Sequence, residues 1–155
     1  MNLDDLVGCV INNMKRHDGE LRRLLRSLLS SPSEVPWSRL EWQRAKYIIA
    51  RGIAECFCKN NCRVYLLEMH GGEPSDGLGD KDIDMAIDCP GEKINIDFIE
   101  NILEKYVTKY LSGLIGGEVR RELKIPNVVE LHTSDEFLIK KHLEARDKRY
   151  AIKIC

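Results

Sequence analysis

The sequence predicts an α/β (α+β) protein in which a small mixed β-sheet is flanked by helices. Two observations favour this class. Apolar residues recur at helical spacing in the first third of the chain and again after residue 95. Short apolar runs bounded by turn residues lie between and beyond those stretches, and they are typical of strands. We expect one compact unit with an N-terminal helical extension at residues 1–35 and the sheet at residues 36–155.

The N-terminal part carries three predicted helices. The first should end near Arg16, where His17 and the residues after it break the pattern, and a leucine-rich stripe predicts the second. A third, longer helix should begin at a capping box in which Ser38 is the N-cap and Glu41 follows three residues later. This helix should reach Cys56. Trp37 and Trp42 flank its start and are predicted to be core or interface anchors.

Two predicted strands and a long helix form the middle of the chain. The apolar run at residues 63–69 predicts one strand, and residues 82–88 predict the next. A glycine-rich loop joins them. The helix that follows has Asn95 or Asp97 as its expected N-cap and a glycine pair beginning at Gly116 as its end.

The C-terminal part contains a third predicted strand. Residues 118–125 fit either a strand or an exposed charged segment, whereas residues 128–132 form a clear apolar run. A last helix should open at Thr133. The tail at residues 150–154 alternates enough to add an edge strand or to dock loosely.

Composition excludes several classes of protein. The net charge of −1 does not favour general binding to polyanions, and we do not favour nucleic acid as a partner. No run of 18 apolar residues or signal peptide is present, so we expect a cytoplasmic protein without membrane contact. A chain in that compartment usually keeps its cysteines reduced. Cys56, Cys58 and Cys62 suggest zinc by their spacing, but buried thiols are the favoured interpretation because the paired C-x2-C spacing is missing.

The most informative motif pairs glycines with carboxylates. Asp82 and Asp84 are two residues apart, so on a strand they would share one face, and two adjacent anions need a cation to offset their repulsion. Upstream, Gly71 and Gly72 would let the backbone approach a phosphate closely. The residues that follow do not match an EF-hand or a P-loop.

A third carboxylate is expected from the next strand. Glu130 is the only charge in an apolar run, and a lone buried acid is costly unless it is paired or bound to metal. The rival, Asp97, lies at the start of a helical pattern, where an acid is expected as a cap. Asp82, Asp84 and Glu130 would give the oxygen ligands that Mg²⁺ prefers. His132 and His142 are predicted to be surface residues.

This pattern resembles the nucleotidyltransferase fold of the DNA polymerase beta superfamily, in particular its minimal members. The residues that carry the resemblance are Gly71-Gly72, a gap of nine residues, Asp82-Ile83-Asp84-Met85, and Val129-Glu130-Leu131. It covers residues 40–145 and implies a nucleotidyltransferase-like domain at residues 36–155. The departures lie beside the glycines: Gly72 stands where the family most often has Ser, and Glu73 is acidic near the expected phosphates.

The resemblance implies transfer of an NMP from an NTP to a hydroxyl, with Mg²⁺ or Mn²⁺ as cofactor. Asp82 and Asp84 would hold one ion on the triphosphate, and Glu130 would join them at a second ion about 3.5–4 Å away. Glu130 would also serve as general base. The glycine loop and Lys81 would bind the phosphates.

The acceptor is not identified by the sequence. A protein, such as a small helical partner, or a small molecule is expected for minimal members of this family, and the sequence leaves a homodimer open. The alternative is a catalytically inactive module of the same fold that binds a nucleotide or a protein. Glu73 and the missing serine hydroxyl favour that alternative.

Overall fold

A computed structural model describes residues 1–67, 81–133 and 152–155, and the structural statements below concern those residues. The helices are α1 (Leu3–Arg16), α2 (Asp18–Leu29), α3 (Leu40–Cys58), α4 (Ile96–Ile115) and α5 (Val119–Leu123), with a 3-10 turn at Pro36–Ser38 before α3. The strands are β1 (Arg63–Leu66), β2 (Ile83–Asp88), β3 (Val129–Thr133) and β4 (Ile152–Lys153).

The sheet is small and mixed, which confirms the predicted fold class. Its strand order is β3-β2-β1-β4. Strand β1 runs antiparallel to β2 and to β4, whereas β2 and β3 are parallel. A parallel pair needs a crossover connection, and α4 and α5 lie within it. The tail forms the edge strand β4, which is one of the two alternatives that the sequence left open.

The two faces of the sheet differ because side chains alternate along each strand. On one face, Ile83, Met85 and Leu131 join the main hydrophobic core with the helices. The residues between them in sequence occupy the opposite face. Register pairs on that face are Asp84 with Glu130 and Ala86 with His132.

The N-terminal helices share their core with the sheet. Leu6 of α1 and Leu25 of α2 belong to the same buried cluster as Leu103 of α4 and Val129 of β3. Helices α1 and α2 both contact α3 and α4. The extension therefore shares one core with the rest of the described chain, and the boundary at residue 35 stays a prediction.

Trp42 anchors the start of α3, as predicted. Its side chain is fully buried, and its indole Nε1 donates a hydrogen bond to the main-chain oxygen of Lys81 at 2.8 Å. This hydrogen bond holds the segment that precedes β2 against α3. Trp37 is only partly buried and lies beside the same segment.

Several element ends differ from the prediction. Ser38 is not the N-cap of α3, because it lies in the 3-10 turn and its hydroxyl donates to the main-chain oxygen of Val35 at 2.8 Å. Helix α3 begins after Arg39 without a side-chain cap. Helix α1 ends at Arg16 as predicted, but α2 already begins at Asp18. Local turn chemistry at Pro36 thus overrides the capping-box pattern.

The two expectations for the flanks of α4 have clear outcomes. Asn95 is its N-cap and accepts a hydrogen bond from the N–H of Phe98 at 3.2 Å. Gly116 ends the helix with a φ of 70°, a left-handed conformation that favours glycine. The ambiguous segment after it is helical, because Glu118 accepts from the N–H of Arg121 at 2.7 Å and caps α5.

The expectation of reduced cysteines is wrong. The structure pairs all six in disulfides: Cys9–Cys56, Cys58–Cys155 and Cys62–Cys89. Zinc binding by the cysteine group is thereby excluded in this state, since the metal needs free thiolates. Such pairing is typical of oxidising compartments and of intracellular proteins from hyperthermophiles. Cytoplasmic location therefore stays a prediction.

Within the described ranges, no helix has the length and apolar character needed to cross a membrane.

The disulfide prediction concerns the bridge that closes the longest loop. The sequence separation is 97 residues for Cys58–Cys155 and 27 for Cys62–Cys89. Loop-closure entropy grows with loop length, so replacing the first pair by serines should lower the free energy of unfolding by about 2–5 kcal/mol, and by about 1 kcal/mol more than replacing the second. Urea denaturation in non-reducing buffer measures both variants. In reducing buffer, the differences in the free energy of unfolding between the parent and these variants should vanish.

A free-thiol assay provides the direct check on the pairing. Iodoacetamide should label no cysteine in the denatured, unreduced protein. Extensive labelling of a sample that has not met reductant would contradict the pairing.

A second prediction concerns the contact between α2 and α4. The Tyr110 hydroxyl donates to Asp18 Oδ1 at 2.5 Å. Burial together with this hydrogen bond raises the pKa of Tyr110 to about 12, and the same bond is the main cause that lowers the pKa of Asp18 below 3.8. Stabilisation by a carboxyl with a lowered folded pKa is fully present above its unfolded pKa and is lost as the pH falls through the folded one.

We therefore expect Tyr110→Phe to lower the urea midpoint at pH 7, with the gap to the parent narrowing as the pH falls below 3.8. Tyr106→Phe, an exposed position on the same helix, is the control and should match the parent. A gap that stays constant with pH would show that the hydrogen bond to the carboxylate is not its source.

Candidate metal-binding site

Three polar side chains meet on the sheet face opposite the main core. Asp84 of β2 and Glu130 of β3 are register partners in the parallel pair, and His132 follows two residues after Glu130 on the same face. His132 Nε2 lies 3.4 Å from Glu130 Oε1 and 3.6 Å from Asp84 Oδ1. One ligand atom from each residue lies within 4.8 Å of the others. The strand register therefore builds this group.

The group lies at the boundary between the protein interior and solvent. The Asp84 side chain is 4% exposed, His132 is 18% exposed and Glu130 is 42% exposed. Two carboxylates this close repel each other, and burial of one of them strengthens the repulsion. A cation offsets that cost, and a divalent ion on the solvent side of Asp84 would do so.

Negative charge extends to helix α4. Burial raises the pKa of the Glu100 carboxyl, the N–H of Leu131 opposes this shift, and the nearby charge of Glu130 adds to it. Glu100 is not a member of the three-residue group. Its effect is to make the site more attractive to a cation.

Asp82 is placed differently from the other predicted ligands. It precedes β2, and its Oδ2 accepts a hydrogen bond from Asn127 Nδ2 at 3.1 Å. Lys46 of α3 also donates to its main-chain oxygen at 3.4 Å. The structure thus brings Asp84 and Glu130 together but does not include Asp82 in the cluster of ligand atoms found in the described part of the chain.

The predicted phosphate-binding residues are only partly within the described chain. Gly71 and Gly72 lie outside the described residues, as does the helix predicted to follow Thr133. Lys81 is exposed, and its Nζ lies 5.2 Å from the centroid of a Trp37 ring.

Two expectations about single residues have clear outcomes. Asp97 lies in the first turn of α4, as the interpretation of it as a helix-start acid required. His132, which is predicted to be a surface residue, is partly exposed and lies beside two carboxylates. Its spacing of two residues from Glu130 was the signal, since residues i and i+2 on a strand share a face.

Helix α4 fixes the position of β3. Glu104 accepts hydrogen bonds from the N–H of Val128 at 2.9 Å and from that of Val129 at 2.7 Å. Glu100 accepts from the N–H of Leu131 at 2.7 Å. These main-chain groups point away from β2, so two helix carboxylates replace the strand that would otherwise pair there. The strand that carries Glu130 and His132 is thereby held on both sides.

This arrangement can hold a divalent ion and present it to a bound molecule. The donors are two carboxylate oxygens and one imidazole nitrogen, a set that suits a hard or borderline cation. The remaining positions around such an ion would be open to water or to substrate oxygens.

No family model, curated protein or solved structure matches this chain.

The testable consequence concerns Glu104, whose side chain is 14% exposed. Glu104→Ala removes the acceptor of two main-chain N–H groups and should lower the free energy of unfolding by about 1–3 kcal/mol, because buried donors left without acceptors are costly. Glu104→Gln keeps one acceptor oxygen and should lose less. Chemical denaturation measures both changes.

Asn101→Ala, an exposed change on the same helix, is the control and should leave stability near that of the parent. Equal stability of the Glu104→Ala variant and the parent would refute the role of this carboxylate in holding β3.

Proposed function

We propose that this chain is a metal-dependent nucleotidyltransferase that moves an NMP from an NTP to a hydroxyl of a protein or small-molecule acceptor. The observation that carries the proposal is the side-by-side placement of Asp84 and Glu130 on paired parallel strands. A carboxylate-rich ion site suits a substrate that brings phosphate oxygens. The acid-apolar-acid-apolar motif at residues 82–85 adds support from the sequence.

The proposed reaction is a substitution at the α-phosphorus of the nucleotide. The acceptor oxygen forms a bond to that phosphorus, the bond to the bridging oxygen of the β-phosphate breaks, and pyrophosphate leaves. A divalent ion held by Asp84 and Glu130 would neutralise charge that develops on the phosphate oxygens. Lys81, on its exposed loop position, would contact the phosphates.

Glu130 is suited to the role of general base. Its side chain is the most exposed of the three, so it can reach an acceptor hydroxyl, and the proton of that hydroxyl would pass to its carboxylate. Asp84 is suited to the opposite task. Its near-complete burial fixes its position, which is what an ion ligand requires.

A second candidate is a catalytically inactive module that binds a nucleotide or a protein partner. The position of Asp82 favours it, because this carboxylate, which would complete a two-ion site, accepts a hydrogen bond from Asn127 and is not in the group formed by Asp84, Glu130 and His132. Such a module would bind an NTP with a divalent ion but would not release pyrophosphate.

Calorimetry with ATP, CTP, GTP and UTP, each with Mg²⁺ or Mn²⁺, tests binding. We expect at least one nucleotide to bind, and we expect Asp84→Asn to weaken that binding by at least about tenfold, because a lost metal ligand costs on that scale or more. Asp88→Asn is the matched control. Asp88 lies on the same strand, and its Oδ2 is 4.0 Å from Arg63 Nη1. Its replacement should leave nucleotide binding unchanged.

Transfer is tested separately with nucleotides labelled at the α-phosphate in the presence of a cell extract. Label that appears on a protein or small molecule with the parent, and not with Asp84→Asn, supports the enzyme. Binding without transfer supports the inactive module. If none of the four nucleotides binds with either ion, the nucleotidyltransferase and the nucleotide-binding form of the inactive module both fail.

A further inference from the structure

We infer that His132 is a direct ligand of the ion at this site, and that it shifts the preference of the site from Mg²⁺ to a first-row transition ion. The role of the ion in catalysis rests on the proposed function. The identity of the ion does not. It follows from the donor atoms and their spacing.

The distances allow a shared ion. The imidazole nitrogen lies 3.4 Å from Glu130 Oε1 and 3.6 Å from Asp84 Oδ1, which is within the range of a direct ion pair and also within the separation of two ligands of one ion. Two ligand atoms bound to one ion at about 2.1 Å are about 3.0 Å apart at a right angle and about 3.4 Å apart at a tetrahedral angle. The two distances from the imidazole nitrogen therefore match those between ligands of a common ion at open angles.

The main chain fixes the position of His132 as well as it fixes the positions of the two carboxylate residues. Glu130 and His132 are on one face of β3, and Asp84 lies on the neighbouring strand, in register with Glu130. The N–H of Leu131, between the two β3 residues, is held by Glu100. All three side chains thus start from main-chain positions fixed by hydrogen bonds, which favours a preformed ligand set.

The chemistry of the donors sets the preference. Mg²⁺ prefers oxygen ligands only and keeps much of its water, whereas imidazole nitrogen suits transition ions. For a given site with nitrogen and oxygen donors, affinity rises from Mn²⁺ toward Zn²⁺. With two carboxylates and one imidazole, the expected order is Mg²⁺ weakest, then Mn²⁺, then Zn²⁺. Thiolates do not compete, since the cysteines are paired in disulfides.

Mn²⁺ is the most demanding probe because it is the transition ion closest to Mg²⁺ in its chemistry. Calorimetric titration of the protein without nucleotide should show Mn²⁺ binding at least about tenfold tighter than Mg²⁺. His132→Gln should weaken Mn²⁺ binding by about 10–100-fold and should change Mg²⁺ binding far less. His17→Gln, an exposed position at the start of α2, is the control and should behave as the parent.

A spectroscopic measurement keeps the inference testable if His132→Gln does not fold. A triple variant with His17, His70 and His142 replaced by Gln retains His132 as its one histidine. Electron spin echo measurements on Mn²⁺ bound to that variant should show modulation from a directly bound nitrogen. Absence of this signal from bound Mn²⁺, or equal affinity of the parent for Mg²⁺ and Mn²⁺, would overturn the inference.

The outcomes separate this inference from the proposed function. Selective, His132-dependent Mn²⁺ binding without nucleotide binding or transfer would support the assignment of His132 as a ligand. The same result would refute the proposed activity. Transfer that is supported equally by Mg²⁺ and Mn²⁺ and is unaffected by His132→Gln would support the proposed activity. It would overturn the assignment of His132 as a ligand.

Discussion

The structure depends on the parallel pairing of β2 and β3. This pairing sets Asp84 opposite Glu130, and it buries Ile83 and Val129 on the opposite face, toward the helices. Parallel strands cannot be joined by a short turn, so the chain must pass through α4 and α5 between them. Helix α4 uses this proximity, because its glutamates accept hydrogen bonds from the main chain of β3. The core, the crossover and the candidate site therefore share one constraint.

Much of the fold could be predicted because it depends on periodicity. The short apolar runs of the strands and the helical stripe of α4 reflect burial, and burial leaves a direct trace in the order of apolar residues. Capping was less predictable. Ser38 lies in a 3-10 turn instead of capping α3, whereas Glu118 caps a five-residue helix in a segment whose alternation also fits a strand. Such short segments are decided by a few local hydrogen bonds, which composition does not reveal.

The candidate site was predicted in part for the same reason. Asp84 and Glu130 could each be proposed from a single strand, Asp84 from its spacing of two residues from Asp82 and Glu130 because it is a charged residue in an apolar run. Their partnership with His132 requires the register of two strands that lie far apart in sequence. Spacing also places Asp82 with Asp84, and in the structure the Asp82 carboxylate accepts a hydrogen bond from the side chain of Asn127. Cysteine pairing was also beyond sequence reasoning, since spacing alone does not determine connectivity.

The carboxylates of α4 have a consequence for the association of this protein with other chains. An edge strand with unsatisfied N–H groups is a template on which another chain can extend the sheet, and this is a common route to aggregation. The outward N–H groups of Val129 and Leu131 are already bonded to Glu104 and Glu100. At the opposite edge of the described sheet, β4 contributes only two residues. Recognition of an extended peptide by strand addition is therefore disfavoured at the edge formed by β3, beside the candidate site.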